Sequence, residues 1–188
     1  MRKILLLSFI LVLALSLGVN AQTFAKKGIL EAGGSASFSS TTAVANGQSA
    51  SNSLSLFSIS PNFGYFIIDN LELGAVISFT STSYSGNSTT LFSGAALVNY
   101  CFDTQSKVYP FIGGELGYNT ESDGGSASGL LWNIQGGIDI QVENNVLVKV
   151  GAFYEQMTLN PSGNTGGRYG SNIFGLQAGF SVFFDTNK

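Results

Sequence analysis

The chain has 188 residues, 10% charged and 12% aromatic, with 24 glycines, one cysteine and no histidine. Eight bases against 11 acids give a formal net charge of −3 with no basic stripe, which excludes nucleic acid as a partner. A water-covered surface usually carries about 25–35% charged residues, so much of this chain is expected to face something other than water.

Met1-Arg2-Lys3, an apolar run from Ile4 to about Leu17, and the small residues Val19 and Ala21 form a secretory signal peptide, residues 1–21. The run is short for a spanning helix, and no Cys follows it, which excludes a lipoprotein. The mature domain is then 22–188, with 6 bases against 11 acids and a formal charge of 6 − 11 = −5. Cys101 stands alone, so no intrachain disulfide forms, and it is read as a small packed residue.

From there the sequence alternates with period two, the signature of strands with one apolar and one polar face. A first strand, about 27–38, sets Leu30, Ala32, Gly34, Ala36 and Phe38 against Glu31, Gly33, Ser35 and Ser37. A polar segment, 39–53, is read as a loop. The second strand carries Phe57, Ile59, Pro61, Phe63, Tyr65 and Ile67 on its apolar face; the third carries Leu71, Leu73, Ala75, Ile77 and Phe79. Pairing Ile67 with Leu71 leaves Ile68-Asp69-Asn70 as a three-residue connection. Polar residues 81–89 form the next loop. The fourth strand presents Phe92 to Phe102 at even positions and, after the turn Asp103 to Lys107, the fifth presents Val108 to Tyr118.

Residues 119–129 are the third expected loop. The sixth strand alternates Leu130, Trp132, Ile134, Ile138, Ile140 and Val142 against Asn133, Gln135, Asp139 and Gln141. Glu143-Asn144-Asn145 turns into a seventh, with Val146, Val148, Val150 and Tyr154 against Lys149 and Glu155. Pairing Val142 with Val146 across that turn sets Asp139 opposite Lys149 on the inner face. The last expected loop, 160–171, precedes an eighth strand, Phe174 to Phe184.

Eight strands with connections alternating between short and long, each long enough to cross a bilayer when tilted, give an all-β fold: an eight-stranded antiparallel up-and-down transmembrane β-barrel. The apolar face carries no Lys, Arg, Asp or Glu, and its aromatics gather at strand ends. Tyr65, Tyr100, Phe102 and Phe184 lie near the short turns; Phe57, Phe79, Phe92, Tyr118, Trp132, Tyr154 and Phe174 lie near the long connections. That is the pattern of two interfacial girdles on a barrel with lipid outside.

The hairpin Pro61 to Phe79, the run Tyr109-Pro-Phe-Ile-Gly-Gly-Glu-Leu-Gly-Tyr118 and the ending Gly179-Phe-Ser-Val-Phe-Phe184 resemble the small outer-membrane β-barrel family of Gram-negative bacteria, the OmpX-type and OmpA-barrel-like proteins. The resemblance covers the whole mature chain. It implies a cell outer-membrane location, outer-membrane lipid as a partner, and a terminal aromatic strand presented to the outer-membrane assembly machinery. Asp185-Thr186-Asn187-Lys188 trail after Phe184, a departure from that ending. Family members that modify lipids depend on a His, which this chain lacks. No peptidoglycan-binding domain follows, so no cell-wall tether is implied.

The inward groups available for chemistry are the carboxylates Glu31, Glu72, Glu115, Asp139 and Glu155 and the single inward base, Lys149. Without His there is no obvious general base, and carboxylates dispersed over several strands argue against one metal site, so neither catalysis nor a cofactor is expected. Asp139 and Lys149 are read as an interior structural pair. The function read from the sequence is a non-enzymatic, monomeric structural or surface protein whose loops mediate adhesion or binding to a ligand the sequence does not identify. The alternative is a narrow porin-like channel for small solutes.

Overall fold

The computed structural model describes residues 24–45, 48–84, 87–122, 126–161 and 169–186; the segment read as a signal peptide lies outside them. Eight strands follow one another: β1 (Ile29–Ala45), β2 (Gln48–Ile68), β3 (Leu71–Tyr84), β4 (Asn87–Cys101), β5 (Val108–Ser122), β6 (Ser126–Glu143), β7 (Val146–Pro161) and β8 (Tyr169–Asp185). Each pairs antiparallel with its neighbours in sequence. β1 pairs with β8 from Ile29↔Asp185 to Ala45↔Tyr169, which closes the barrel. Closure leaves no edge strand with unpaired backbone groups, the condition for a sheet to stand in hydrocarbon.

The turns refine the expected registers. Ile68, not Ile67, pairs with Leu71 across Asp69-Asn70, and a bulge between Phe66 and Ile68 absorbs the extra residue, so Tyr65↔Leu73 falls in the anticipated register. Asn70 supplies the left-handed residue such a turn needs, at φ 70°. The β6–β7 turn does the same: Glu143 pairs with Val146, with a bulge between Gln141 and Glu143. Between β4 and β5, Asp103 accepts a bond of 2.8 Å from the Gln105 backbone, and Thr104 donates to the Val108 carbonyl.

The segments expected as loops are a correction. The first three, 39–53, 81–89 and 119–129, are strand throughout their described residues; in the fourth, 160–171, strand covers 160–161 and 169–171. Ser and Thr in those segments read as turn formers, yet the two arms of each hairpin have matched lengths, so every backbone N–H can find a ladder partner by continuing the sheet. Strands consequently run from 14 to 21 residues, where about 9–11 suffice to cross a bilayer. The surplus forms a polar collar beyond the apolar belt.

The belt itself lies on the outward face. Phe38, Phe57, Ile59, Phe63, Ile112, Leu116, Leu130, Ile134, Phe174 and Leu176 are all exposed, far more contiguous apolar surface than a water-soluble protein leaves uncovered. On β8, Phe174 and Phe184 bracket the belt ten residues apart, about 33 Å along the strand and roughly 25 Å across a membrane at the usual tilt. The polar atoms of the upper girdle are hydrogen-bonded. Trp132 Nε1 donates to Gln156 Oε1 at 3.1 Å, and Tyr118 Oη is 2.9 Å from Ser128 Oγ. Apolar rings with one wet end are what an interface selects.

Candidate functional site: the barrel lumen

The inward side chains stack in three layers. At the end of the short turns, Phe24, just before β1, inserts its ring into the lumen and is buried against Phe66, Tyr109 and Phe183, with ring centroids 5.1, 5.2 and 5.3 Å away. Ile29, Cys101, Phe111 and Leu147 complete this plug. The segment carrying Phe24 is tied down by backbone bonds from Gly28 N to Phe66 O and from Asn70 N to Ala25 O, at 2.9 and 2.8 Å. Asp69 in the β2–β3 turn accepts from the Lys27 backbone at 2.9 Å and pairs with Lys26 at 3.4 Å. That backbone bond first, and then Lys26, hold the Asp69 carboxyl below its ordinary range.

Above the plug lies a charged layer. Lys149 Nζ is 3.6 Å from Glu31 Oε1 and 3.7 Å from Asp139 Oδ1, and it sits 4.9 Å from the centroid of the Phe111 ring. Asp139 and Lys149 are direct register partners on β6 and β7, and Glu31 reaches them from β1. Both carboxylates are fully buried, so the ammonium is their compensating charge. Phe111 is seated by Gly137 and Gly151: a Cβ at either would fall 3.0 or 3.3 Å from its ring.

Beside it an amide relay crosses the barrel. Gln177 donates to Gln135 Oε1 at 2.7 Å, and Gln135 donates to Asn99 Oδ1 at 3.3 Å and to Glu115 Oε1 at 3.4 Å. Asn99 in turn donates to Glu72 Oε2 at 2.9 Å. Five strands are cross-linked through the interior this way. Glu72 has room because Gly64, two residues from its register partner Phe66 on β2, has no side chain; a Cβ there would overlap its carboxylate.

The third layer, towards the collar, is aliphatic on one side: Leu56, Leu131, Met157, Leu159 and Ile173, with Phe153 packed beneath. Between the layers lies an internal cavity of about 70 Å³. Its β1–β4 wall is made of hydroxyls, among them Ser37, Ser58, Ser60, Ser78 and Thr80, with Ser58 and Thr80 2.7 Å apart and Ser78 donating to Ser60 at 2.8 Å. Its β5–β7 wall carries Glu115, Asn133 and Glu155 side by side in register.

Of the residues singled out in the sequence, Glu31, Asp139 and Lys149 thus form one cluster, Glu72 ends the relay, Glu115 sits on its branch from Gln135, and Glu115 and Glu155 line the cavity outside the Lys149 cluster. Among the described residues no three acids converge as metal ligands do. The sequence reading missed Phe24, which precedes the first strand and belongs to no periodic pattern, and it missed the relay, whose links from Gln177 to Gln135 and from Gln135 to Asn99 each skip a strand.

Comparison with known proteins places this architecture. No protein-family model and no curated protein matches the sequence. Among solved structures the chain is similar to Neisserial surface protein A, at TM-score 0.64 and 22% identity, covering 83% of this chain and 97% of that one. It also matches outer membrane protein OprG of Pseudomonas aeruginosa, at TM-score 0.47 and 16% identity over 85% and 97% of the two chains. The N-terminal β-barrel domain of OprF from the same organism gives 0.46 and 18% over 83% and 98%. The first of these shares the fold, a closed antiparallel barrel.

Proposed function

We propose that the protein is a non-enzymatic, monomeric integral protein of the outer membrane, exported by the signal peptide at residues 1–21 and inserted through its final aromatic strand by the assembly machinery. Its role is at the cell surface, where the polar collar meets solvent and any surface ligand. One observation carries the reading: a closed barrel bears an uncharged apolar belt between two aromatic girdles, while aromatic rings close its lumen at the turn end. The described residues of the connections build a strand collar, so binding would use this rim. The second reading, a narrow channel for small solutes, is favoured by the internal cavity and opposed by the plug.

Cell fractionation and labelling test the proposal. The protein should sediment with outer membranes and migrate faster on gels before boiling than after. Cys101 is buried and free, so introduced thiols report cleanly. Thr90→Cys, exposed just beyond the Phe92 girdle, should react with a membrane-impermeant maleimide on intact cells, and Glu143→Cys at the opposite end should not. Recovery in a soluble fraction, or the reverse labelling, would overturn the reading.

A further inference from the structure

The part of the lumen between the Lys149 cluster and the collar is out of electrostatic balance. Glu115 and Glu155 both face the cavity, and neither has a basic partner: among the described residues Lys149 is the only lysine or arginine on the inner face of a strand, and it is engaged by Glu31 and Asp139. Between the two acids sits Asn133, 93% buried by its 7% exposure, whose Oδ1 lines the same cavity without a hydrogen-bond partner. Buried acceptors are ordinarily satisfied, and an unmet one costs its full desolvation. At its β5–β7 wall the cavity therefore presents two carboxyls and an unmet acceptor with no base among them, while Lys149 and the hydroxyl wall lie on its other sides.

The shape of the shortfall selects the ligand. No three acids converge, so the site does not offer a coordination sphere to a hard metal ion. Its remaining walls mix hydroxyls with apolar surface from Leu56, Phe153 and Ile173. An ammonium group brings three donors and one positive charge, and a short alkyl stem would lie against those apolar side chains. We propose that the lumen cavity is a binding site for a small primary alkylammonium ion, its nitrogen held by Glu115, Glu155 and Asn133 Oδ1. The proposal needs the barrel fold and is independent of the surface role. A cavity of about 70 Å³ suits a stem of a few carbons, and a ligand of four heavy atoms binds no tighter than roughly tens of micromolar.

The test uses refolded full-length mature protein in detergent with propylammonium chloride as the probe. Propylammonium should raise the thermal unfolding midpoint saturably, and titration calorimetry should give one site. Glu115→Gln and Glu155→Gln should each weaken binding on the order of tenfold, while Glu143→Gln on the exposed turn leaves it unchanged. An equal shift from 1-propanol would show an apolar pocket only, and an equal shift from potassium or magnesium chloride would show a general cation effect; either result overturns the proposal. Should the variants fail to refold, intermolecular NOEs in the wild type decide. Contacts from the propyl methylenes to Phe153 and Ile173 support the site, and their absence at saturating probe refutes it.

Discussion

At the scale of single residues, Lys149 carries the largest share of the interior's electrostatics. Glu31 and Asp139 are buried and, among the described residues, Lys149 is the base paired with them, so Lys149→Met leaves two carboxylates without their counter-charge. The expected cost is about 3–5 kcal/mol, read as a shift in the urea midpoint of the refolded barrel, and pairing it with Asp139→Asn should recover part of the loss. A loss below about 1 kcal/mol, with no coupling, would mean that water carries these charges instead. Asp69 gives a pH signature at the other extreme of exposure. Its carboxyl is held below the ordinary range by the Lys27 backbone N–H, so its contribution to docking the Phe24 segment is intact above that range and is lost as the pH falls below it, through the lowered folded value. The amide resonance of Lys27 should follow that titration in wild type, and should stay flat in Asp69→Asn.

Elements add what residues alone do not show. Each strand is read from the sequence by its period: Phe57, Ile59, Phe63 and Tyr65 face one way, Ser58, Ser60, Asn62 and Gly64 the other, and the structure keeps that division. The strand ends were hidden because a Ser- and Thr-rich arm satisfies its backbone equally well in water or in a ladder, and only the matched arm beside it decides. Interior contacts follow the same logic. Asp139 and Lys149 belong to one hairpin, whose register can be counted from its turn, whereas Glu31 reaches Lys149 only once β1 and β8 close the sheet, and Gln177, Gln135 and Asn99 meet only across intervening strands. Because the collar lies outside the belt, deleting residues 43–50 should shorten the β1–β2 hairpin without touching the girdle at Phe38 and Phe57. The shortened protein should still refold in detergent, keep its heat-modifiable mobility, and lose only collar-dependent surface binding. Failure to refold would instead make the long arms part of the folding nucleus, closing the barrel from the collar end.

For the molecule as a whole the question is whether the lumen conducts. An eight-stranded barrel is just wide enough to be filled by its side chains. Here the filling at the turn end is a disc of rings, with Phe24 at its centre and Phe66, Tyr109 and Phe183 around it. Above it, the relay and the Lys149 cluster cross the bore again, so the cavity between layers is blind at the turn end. Planar bilayers holding the refolded protein should therefore show no stable open level. Phe24→Ala removes the central ring at about 3–5 kcal/mol of stability, yet Phe66, Phe183 and Leu147 remain buried across the same section. That variant should unfold at lower urea and still not conduct. Conductance should appear only when the second barrier is breached as well, for instance in Phe24→Ala combined with Gln135→Ala, which cuts the relay at its branch point. A sustained, solute-selective current from the wild type would reject the blind lumen and favour the channel. A current from Phe24→Ala alone would make the N-terminal segment the sole stopper, and the amide relay a lining that solutes pass.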